Sequence, residues 1–216
     1  MDEQKRKKAL QVLSQIYADA RPALHYNTAY ELLVAVILSA QCTDERVNKV
    51  TAELFKEHNT PQTMLELTQE ELEKYIFSCG LYKSKAAHIL SASHDIVDKF
   101  SGQVPSGFSD LKSLAGVGQK TANVVSSVWF EKDAIAVDTH VFRVSNRLGL
   151  AKASTPAKTE EQLKVSIPQA DWSKAHHWLI WHGRRICHSQ KPDCGNCPLS
   201  ECCDYYADRQ EKQKGE

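Results

Sequence analysis

The chain has 216 residues, enough for one large domain or two small ones and for a core that needs no covalent staples. Its 42% hydrophobic and 25% charged content is that of a globular protein, and 9 Gly with 7 Pro exclude collagen-like and low-complexity classes. Lys plus Arg and Asp plus Glu both number 27, so global charge offers no argument for nucleic acid, and any basic face must be local. The longest apolar run, Leu32 to Leu38, is seven residues, far below the ~20 of a membrane helix. The basic start, Met1 to Lys8, has no apolar stretch behind it and does not read as a secretory signal. A soluble intracellular protein is the expectation.

Helical patterns run almost throughout. Leu32, Leu33, Val36 and Ile37 after Asn27-Thr28 predict a buried helix ending near Gln41. Thr43-Asp44 caps the next, with Val47, Val50, Leu54 and Phe55 as its apolar stripe. Thr68-Gln69-Glu70-Glu71 is a capping box, followed by Leu72, Tyr75 and Ile76 before Gly80 stops the helix. Ile89, Ile96, Val97 and Phe100 mark another, closed by Gly102. Ser109-Asp110 is expected to cap a short helix carrying Leu111 and Leu114; Gly116 and Gly118 break it, and a helix resumes through Ala122, Val125 and Trp129. Ala134 to Val137 reads as extended or buried, and Asp138 caps a helix with Val141, Val144 and Leu148. Thr159-Glu160-Glu161-Gln162 is expected to open a further helix, and Ala170 to about Ile186 a long one. The prediction is an all-α fold, with boundaries near residues 131–138 and in the loop Ala151 to Pro156.

Of seven cysteines, five fall within the last 30 residues. An odd count, tightly clustered in a reducing compartment, argues for a metal site over a disulfide framework. Cys187-x6-Cys194-x2-Cys197-x5-Cys203 contains one CxxC pair with two outliers. Four converging thiolates suit a tetrahedral zinc or an iron–sulfur cluster. Structural zinc usually takes two CxxC knuckles, so a single loop wrapping a cubane fits this spacing better. Cys202 stands beside Cys203 and competes for the fourth position. Cys42 and Cys79 are isolated in the sequence and read as small core residues.

In Leu111 to Ala122, Gly116 and Gly118 flank Val117. Such a pair permits a tight turn between helices and lets backbone N–H groups at the second helix's N-terminus meet a phosphate. An ordinary helical hairpin has the same spacing. Lys120 falls in the first turn of that second helix, where the dipole disfavours a cation and so favours the neutral amine of a nucleophile. Asp138, in Val137-Asp138-Thr139-His140, is a helix cap; a carboxylate so held is ionised and rigidly placed.

Taken together, these residues resemble the endonuclease III family, the bifunctional DNA glycosylases of base excision repair. The resemblance covers nearly the whole chain and rests on Leu38-Ser39-Ala40-Gln41 with Thr43-Asp44, Gly80-Leu81-Tyr82, Gly116 to Ala122, Val137 to His140 and the four-cysteine tail. Three positions depart from the family's pattern: Ala115, where Pro usually precedes the hairpin; Cys42, where a small residue such as Ala is usual; and Cys202, an extra thiol.

The resemblance implies two lobes with DNA in the cleft between them. One is a six-helix barrel over residues 22–134, with the helix–hairpin–helix at about 108–130. The other, residues 1–21 and 135–216, carries a [4Fe–4S] cluster on Cys187, Cys194, Cys197 and Cys203. Arg184, Arg185 and Lys191 would supply basic charge for phosphate beside it. Gln41 and Leu81 would fill the gap left by an extruded nucleotide, the amide bonding the orphaned base and the leucine wedging the stack. Lys120 would attack C1′ to form a Schiff base, and Asp138 would stabilise positive charge on the sugar. The expected substrate is duplex DNA carrying oxidised pyrimidines, and the expected protein a monomeric, cytoplasmic, nucleoid-associated bacterial enzyme. An adenine-mismatch glycosylase relative lacks the nucleophilic lysine, and a non-catalytic iron–sulfur DNA-binding protein needs no Lys120–Asp138 pair; the two residues argue against both.

Overall fold

The structure, a computed structural model, describes residues 1–20, 23–132 and 134–214. Among these, the regular elements are all helices: α1 (Glu3–Ile16), α2 (Ala29–Leu38), α3 (Asp44–Leu54), α4 (Pro61–Met64), α5 (Gln69–Ile76), α6 (Tyr82–Phe100), α7 (Phe108–Ser113), α8 (Gln119–Val128), α9 (Thr139–Leu148), α10 (Pro156–Ser166), α11 (Trp172–Arg185) and α12 (Asp204–Lys214). None is long and apolar enough to cross a membrane. Packing divides the chain into two units, Met1–Arg21 with Asp133–Glu216, and Pro22–Lys132. The junction residues 21, 22 and 133 lie outside the described ones. The loop at 151–156, an expected boundary, lies inside the first unit and separates nothing.

The unit Pro22–Lys132 is built around α2. Nine of its ten residues, Tyr30 to Leu38, are buried, as befits a helix that is apolar on every side. Thr28 caps it, its side chain accepting from the Glu31 amide. Glu31 itself is buried at the N-terminal turn, where its carboxylate accepts from the Asn27 amide at 2.5 Å and meets the positive end of the helix. Val47 and Leu54 of α3, Leu72 and Ile76 of α5, Ile89 and Ile96 of α6, and Ala122 and Val125 of α8 close over it. The predicted capping box is present on α5, with Thr68 and Glu71 satisfying each other's backbone amides.

In the other unit, α9 and α11 pack most closely. Gly183 permits this: a Cβ there would stand 3.0 Å from His140 Cβ and 3.1 Å from Val144 Cγ2. Ala9 and Leu13 of α1 and its C-cap Tyr17 join Val141, Val144, Ala175, Trp178 and Leu179 in one core, so the start of the chain is part of the fold of its end. The Met1 ammonium bonds Asp204 at 3.0 Å.

Two helix starts differ from expectation. Gly107, not Ser109-Asp110, precedes α7, and Leu114 is its C-cap, not a helical residue. α10 begins at Pro156 behind a Thr155 cap, earlier than Thr159, because proline at the first helical position is pre-set for the turn. Residues 134–137 are buried and outside any helix, as predicted.

Candidate functional site

In the unit Pro22–Lys132, α7 and α8 are joined by Leu114 to Gly118. Leu111, Leu114 and Val117 are buried beneath this turn, which anchors it. Gly116 has φ +76°, and a Cβ there would meet His88 Cβ at 2.9 Å, so the fold itself demands glycine. Gly118 has φ −85° and caps α8; a Cβ there would enter open space. Nothing inside the protein requires glycine at 118. Lys120, the second residue of α8, is exposed.

Gln41 and Leu81 are both exposed, and both adopt left-handed backbone, φ +52° and +61°. For L-residues that conformation costs about 1–2 kcal/mol. Leu81 keeps 59% of its surface in solvent although it directly precedes α6. The two turns adjoin: a Cβ on Gly80 would stand 3.4 Å from the Gln41 carbonyl oxygen. Sequence distance hides this neighbourhood. Lys85 braces it from below, 4% exposed, its Nζ donating to the Leu38 carbonyl at 2.7 Å. Burial pulls the Lys85 ammonium below the usual lysine range.

In the other unit, Asp138 caps α9, its Oδ1 accepting from the Val141 amide at 2.7 Å. His140 Nδ1 lies 3.1 Å from an Arg143 guanidinium nitrogen, so Nδ1 accepts and the ring is neutral. Burial lowers His140, with the Asp138 carboxylate opposing and Arg143 and Arg184 reinforcing that shift.

Cys187, Cys194, Cys197 and Cys203 line one shallow pocket together with His182, Arg147, Pro192 and Tyr206. Cys202 is not in its wall; it is 2% exposed and belongs to the core of its unit. Among the described residues, no three His, Cys, Asp or Glu side chains are gathered for a single metal ion. Burial pushes the Cys203 thiol up to about 11 and raises Cys197 as well. Around these sulfurs stand hydrogen-bond donors. Arg147 Nη1 lies 3.5 Å from Cys187 Sγ, and His182 Nε2 lies 3.7 Å from Cys197 Sγ.

Arg143 and Arg147, four residues apart on one face of α9, were not singled out from the sequence. Arg143 donates to the Cys187 and Gly183 carbonyls, both at 3.0 Å. Arg147 donates to those of His188 at 2.6 Å and Ser189 at 2.9 Å. They pin the segment that begins the cysteine loop. Of the three expected basic residues, Arg184 is exposed and Lys191 is exposed at φ +48°. Arg185 is exposed but stacks its guanidinium 4.4 Å from the Trp181 ring centroid and 5.9 Å from that of Tyr17.

Residues 34–169 match the family model described as HhH-GPD superfamily base excision DNA repair protein. Endonuclease III of Rickettsia conorii is 48% identical over 199 residues, 92% of this chain and 95% of that protein. Two solved structures superpose with a TM-score of 0.92. One, a trapped endonuclease III–DNA covalent intermediate with an estranged adenine, is 43% identical and spans 97% of this chain and 99% of its own. The other, a non-covalent endonuclease III–DNA complex, is 42% identical and spans 98% and 99%.

Proposed function

The chain belongs to the endonuclease III family, and from that premise we propose that Lys120 and Asp138 carry its chemistry. The protein is a DNA glycosylase of base excision repair with AP lyase activity. The observation that carries the assignment of Lys120 is its place: an exposed amine in the first turn of α8, directly behind a hairpin whose Gly118 no intramolecular contact requires. A backbone free of side chain there lets a phosphate approach the helix N-terminus.

Damaged duplex DNA presents its target base stacked, so the nucleotide must leave the helix. Gln41 and Leu81, exposed on adjoining turns, fill the space: the amide bonds the partner base and the leucine occupies the stack. Neutral Lys120 attacks C1′ as the glycosidic bond breaks, and the base leaves with the bonding electrons. Asp138, fixed by the Val141 amide, stabilises positive charge on the sugar, and the lysine nitrogen gives up its proton to solvent. The C1′–O4′ bond then breaks, O4′ taking a proton as the sugar ring opens, and the C1′ iminium so formed acidifies the C2′ proton. Its loss expels the 3′ phosphate by β-elimination and leaves the strand cut.

Cys187, Cys194, Cys197 and Cys203 would hold a [4Fe–4S] cluster. Their shared pocket supports that reading: four thiols line one wall, with the Arg147 cation and the His182 ring beside two of them to stabilise thiolates. Bound there, the cluster would tie the cysteine loop together, and the exposed Arg184 and Lys191 would be available to phosphate. The six-helix barrel and cluster domain expected from the sequence belong to the same proposal.

A glycosylase assay on duplexes carrying oxidised pyrimidines, adenine mismatches or undamaged bases tests the substrate class. Release confined to oxidised pyrimidines, with strand cleavage on the 3′ side, is expected. Release of mismatched adenine without cleavage would contradict it.

A further inference from the structure

Cys42 and Cys79, far apart in the sequence, meet. Cys42 packs against the core cluster that contains Cys79, the two thiols act on one another electrostatically, and neither is in a disulfide. The backbone supports this pairing: Cys42 follows Gln41, Cys79 precedes Gly80, and Gly80 approaches the Gln41 carbonyl so closely that a Cβ would be 3.4 Å away. Cys79 is fully buried, whereas Cys42 is half-buried and reachable from solvent. Burial and the neighbouring Cys42 thiol push Cys79 up to about 11, and the Lys85 and Arg46 cations oppose that shift only in part. Two neighbouring thiols on adjoining turns, one of them reachable from solvent, are the parts of an oxidisable pair.

We propose that Cys42 and Cys79 form a thiol-oxidation site, which a hydroperoxide closes into a disulfide tying the Gln41 turn to the Gly80–Leu81 turn. The Cys42 sulfur attacks the peroxide oxygen, the O–O bond breaks, and Cys42 becomes a sulfenic acid with release of water when the oxidant is hydrogen peroxide. The Cys79 sulfur then attacks the Cys42 sulfur. The S–S bond forms, the S–O bond breaks, and hydroxide leaves with the Cys79 proton as a second water. The two thiols give up two electrons and two protons, and the peroxide is reduced to two waters. Lys85 steadies the Cys79 thiolate as it forms.

Closing the pair to an S–S bond of about 2.05 Å pulls the two turns together. Gln41 is the residue before Cys42, and Leu81 stands two after Cys79. Both are held at positive φ, so a shift of either turn re-aims them. Oxidation is therefore expected to blunt lesion engagement; this consequence rests on the proposed gap-filling roles of Gln41 and Leu81.

The test treats the cluster-loaded protein with hydrogen peroxide, then alkylates free thiols and maps peptides. Binding is measured in parallel to a duplex with a reduced abasic site and to an undamaged duplex. The expected result is a linked peptide pair containing Cys42 and Cys79, removed by dithiothreitol. The affinity ratio between the two duplexes should fall about tenfold on oxidation and recover on reduction, while Cys42→Ala holds its ratio throughout. Absence of the linked peptides while other thiols oxidise would overturn the site. So would an equal loss in Cys42→Ala, which would place the effect at the C-terminal cysteines. A disulfide without change in the ratio would overturn the coupling to lesion engagement. Reduced Gln41→Ala and Leu81→Ala test the underlying reading separately: an unchanged ratio in both would remove the gap-filling roles and leave the mapped disulfide to be judged alone.

Discussion

The Tyr17 hydroxyl lies 3.1 Å from Nδ1 of His182, whose Nε2 faces Cys197 Sγ at 3.7 Å. Burial holds His182 neutral, down to about 4. A neutral imidazole has one donor nitrogen. A Cys197 thiolate can only accept, so it selects the tautomer with the proton on Nε2, and Nδ1 then accepts from the Tyr17 hydroxyl. The first helix of the chain thus orients a donor to one of its last cysteines. Tyr17→Phe should lower stability by about 1 kcal/mol, the scale of one lost hydrogen bond, and should hasten iron loss. Thermal melting and iron content over time measure both; unchanged iron retention would show that Tyr17 acts through packing alone.

The ligand set separates two adjacent thiols. Cys203→Ser should yield protein with less than the roughly four iron atoms per chain of a cubane. Cys202→Ser should keep its iron, because that side chain is in the core and outside the pocket wall. Metal analysis after anaerobic purification reads the difference. Zinc in place of iron in the parent protein, or the reverse pattern in the two variants, would refute the assignment.

Gly116 and Gly118 should respond differently to alanine. At 116, positive φ and the His88 side chain oppose a Cβ, so a loss of about 1–2 kcal/mol is expected. That corresponds to a melting temperature lower by a few degrees for a chain of this size. At 118 the Cβ meets open space and φ is −85°, so stability should hold while affinity falls for damaged and undamaged DNA alike. Melting curves beside salt-dependent binding isotherms separate the cases. A Gly118→Ala protein that binds undamaged DNA normally would remove the hairpin from the phosphate contact.

Acid should destabilise the protein through α11. Burial, with His176 beside it, lowers His177 to about 3 from 6.5. A histidine depressed in the fold binds more protons when unfolded. Its stabilisation is therefore complete above pH 6.5 and is lost as pH falls through the window from 6.5 toward 3. Between pH 6.5 and 5 the loss is on the order of 2 kcal/mol for such a group. His182 contributes in the same direction down to about 4. His177→Gln should flatten the decline of melting temperature over this range; an unchanged slope would contradict the shift.

Local chemistry was legible where it is local. Thr28, Thr43, Thr68 and Asp138 each cap the helix their position announced. The starts of α7 and α10 were misplaced because several capping residues compete within a few positions, and only packing selects among them. α12 carries Asp204, Tyr205 and Tyr206 followed by an almost wholly polar run, so periodicity has nothing to mark. The four-cysteine spacing announced a shared site, but the choice between Cys202 and Cys203 depends on which side of a short turn faces the pocket. Cys42 and Cys79 looked unrelated because their contact is made by two turns from different parts of the chain. Arg143 and Arg147 gave only an i,i+4 signal, and their carbonyl partners are set by tertiary packing.

The central claim is that the Lys120 amine forms the covalent bond to DNA. Borohydride reduction during turnover tests it most directly, because it converts the transient imine into a permanent link between protein and strand. On a duplex with one oxidised pyrimidine, the parent protein should yield a cross-linked species whose modified peptide contains Lys120. Lys120→Gln, whose exposed first-turn position contributes little to the fold, should melt normally and yield none. A cross-link of undiminished yield in Lys120→Gln, or a modified peptide mapping to Lys112 or the N-terminal amine, would contradict the account.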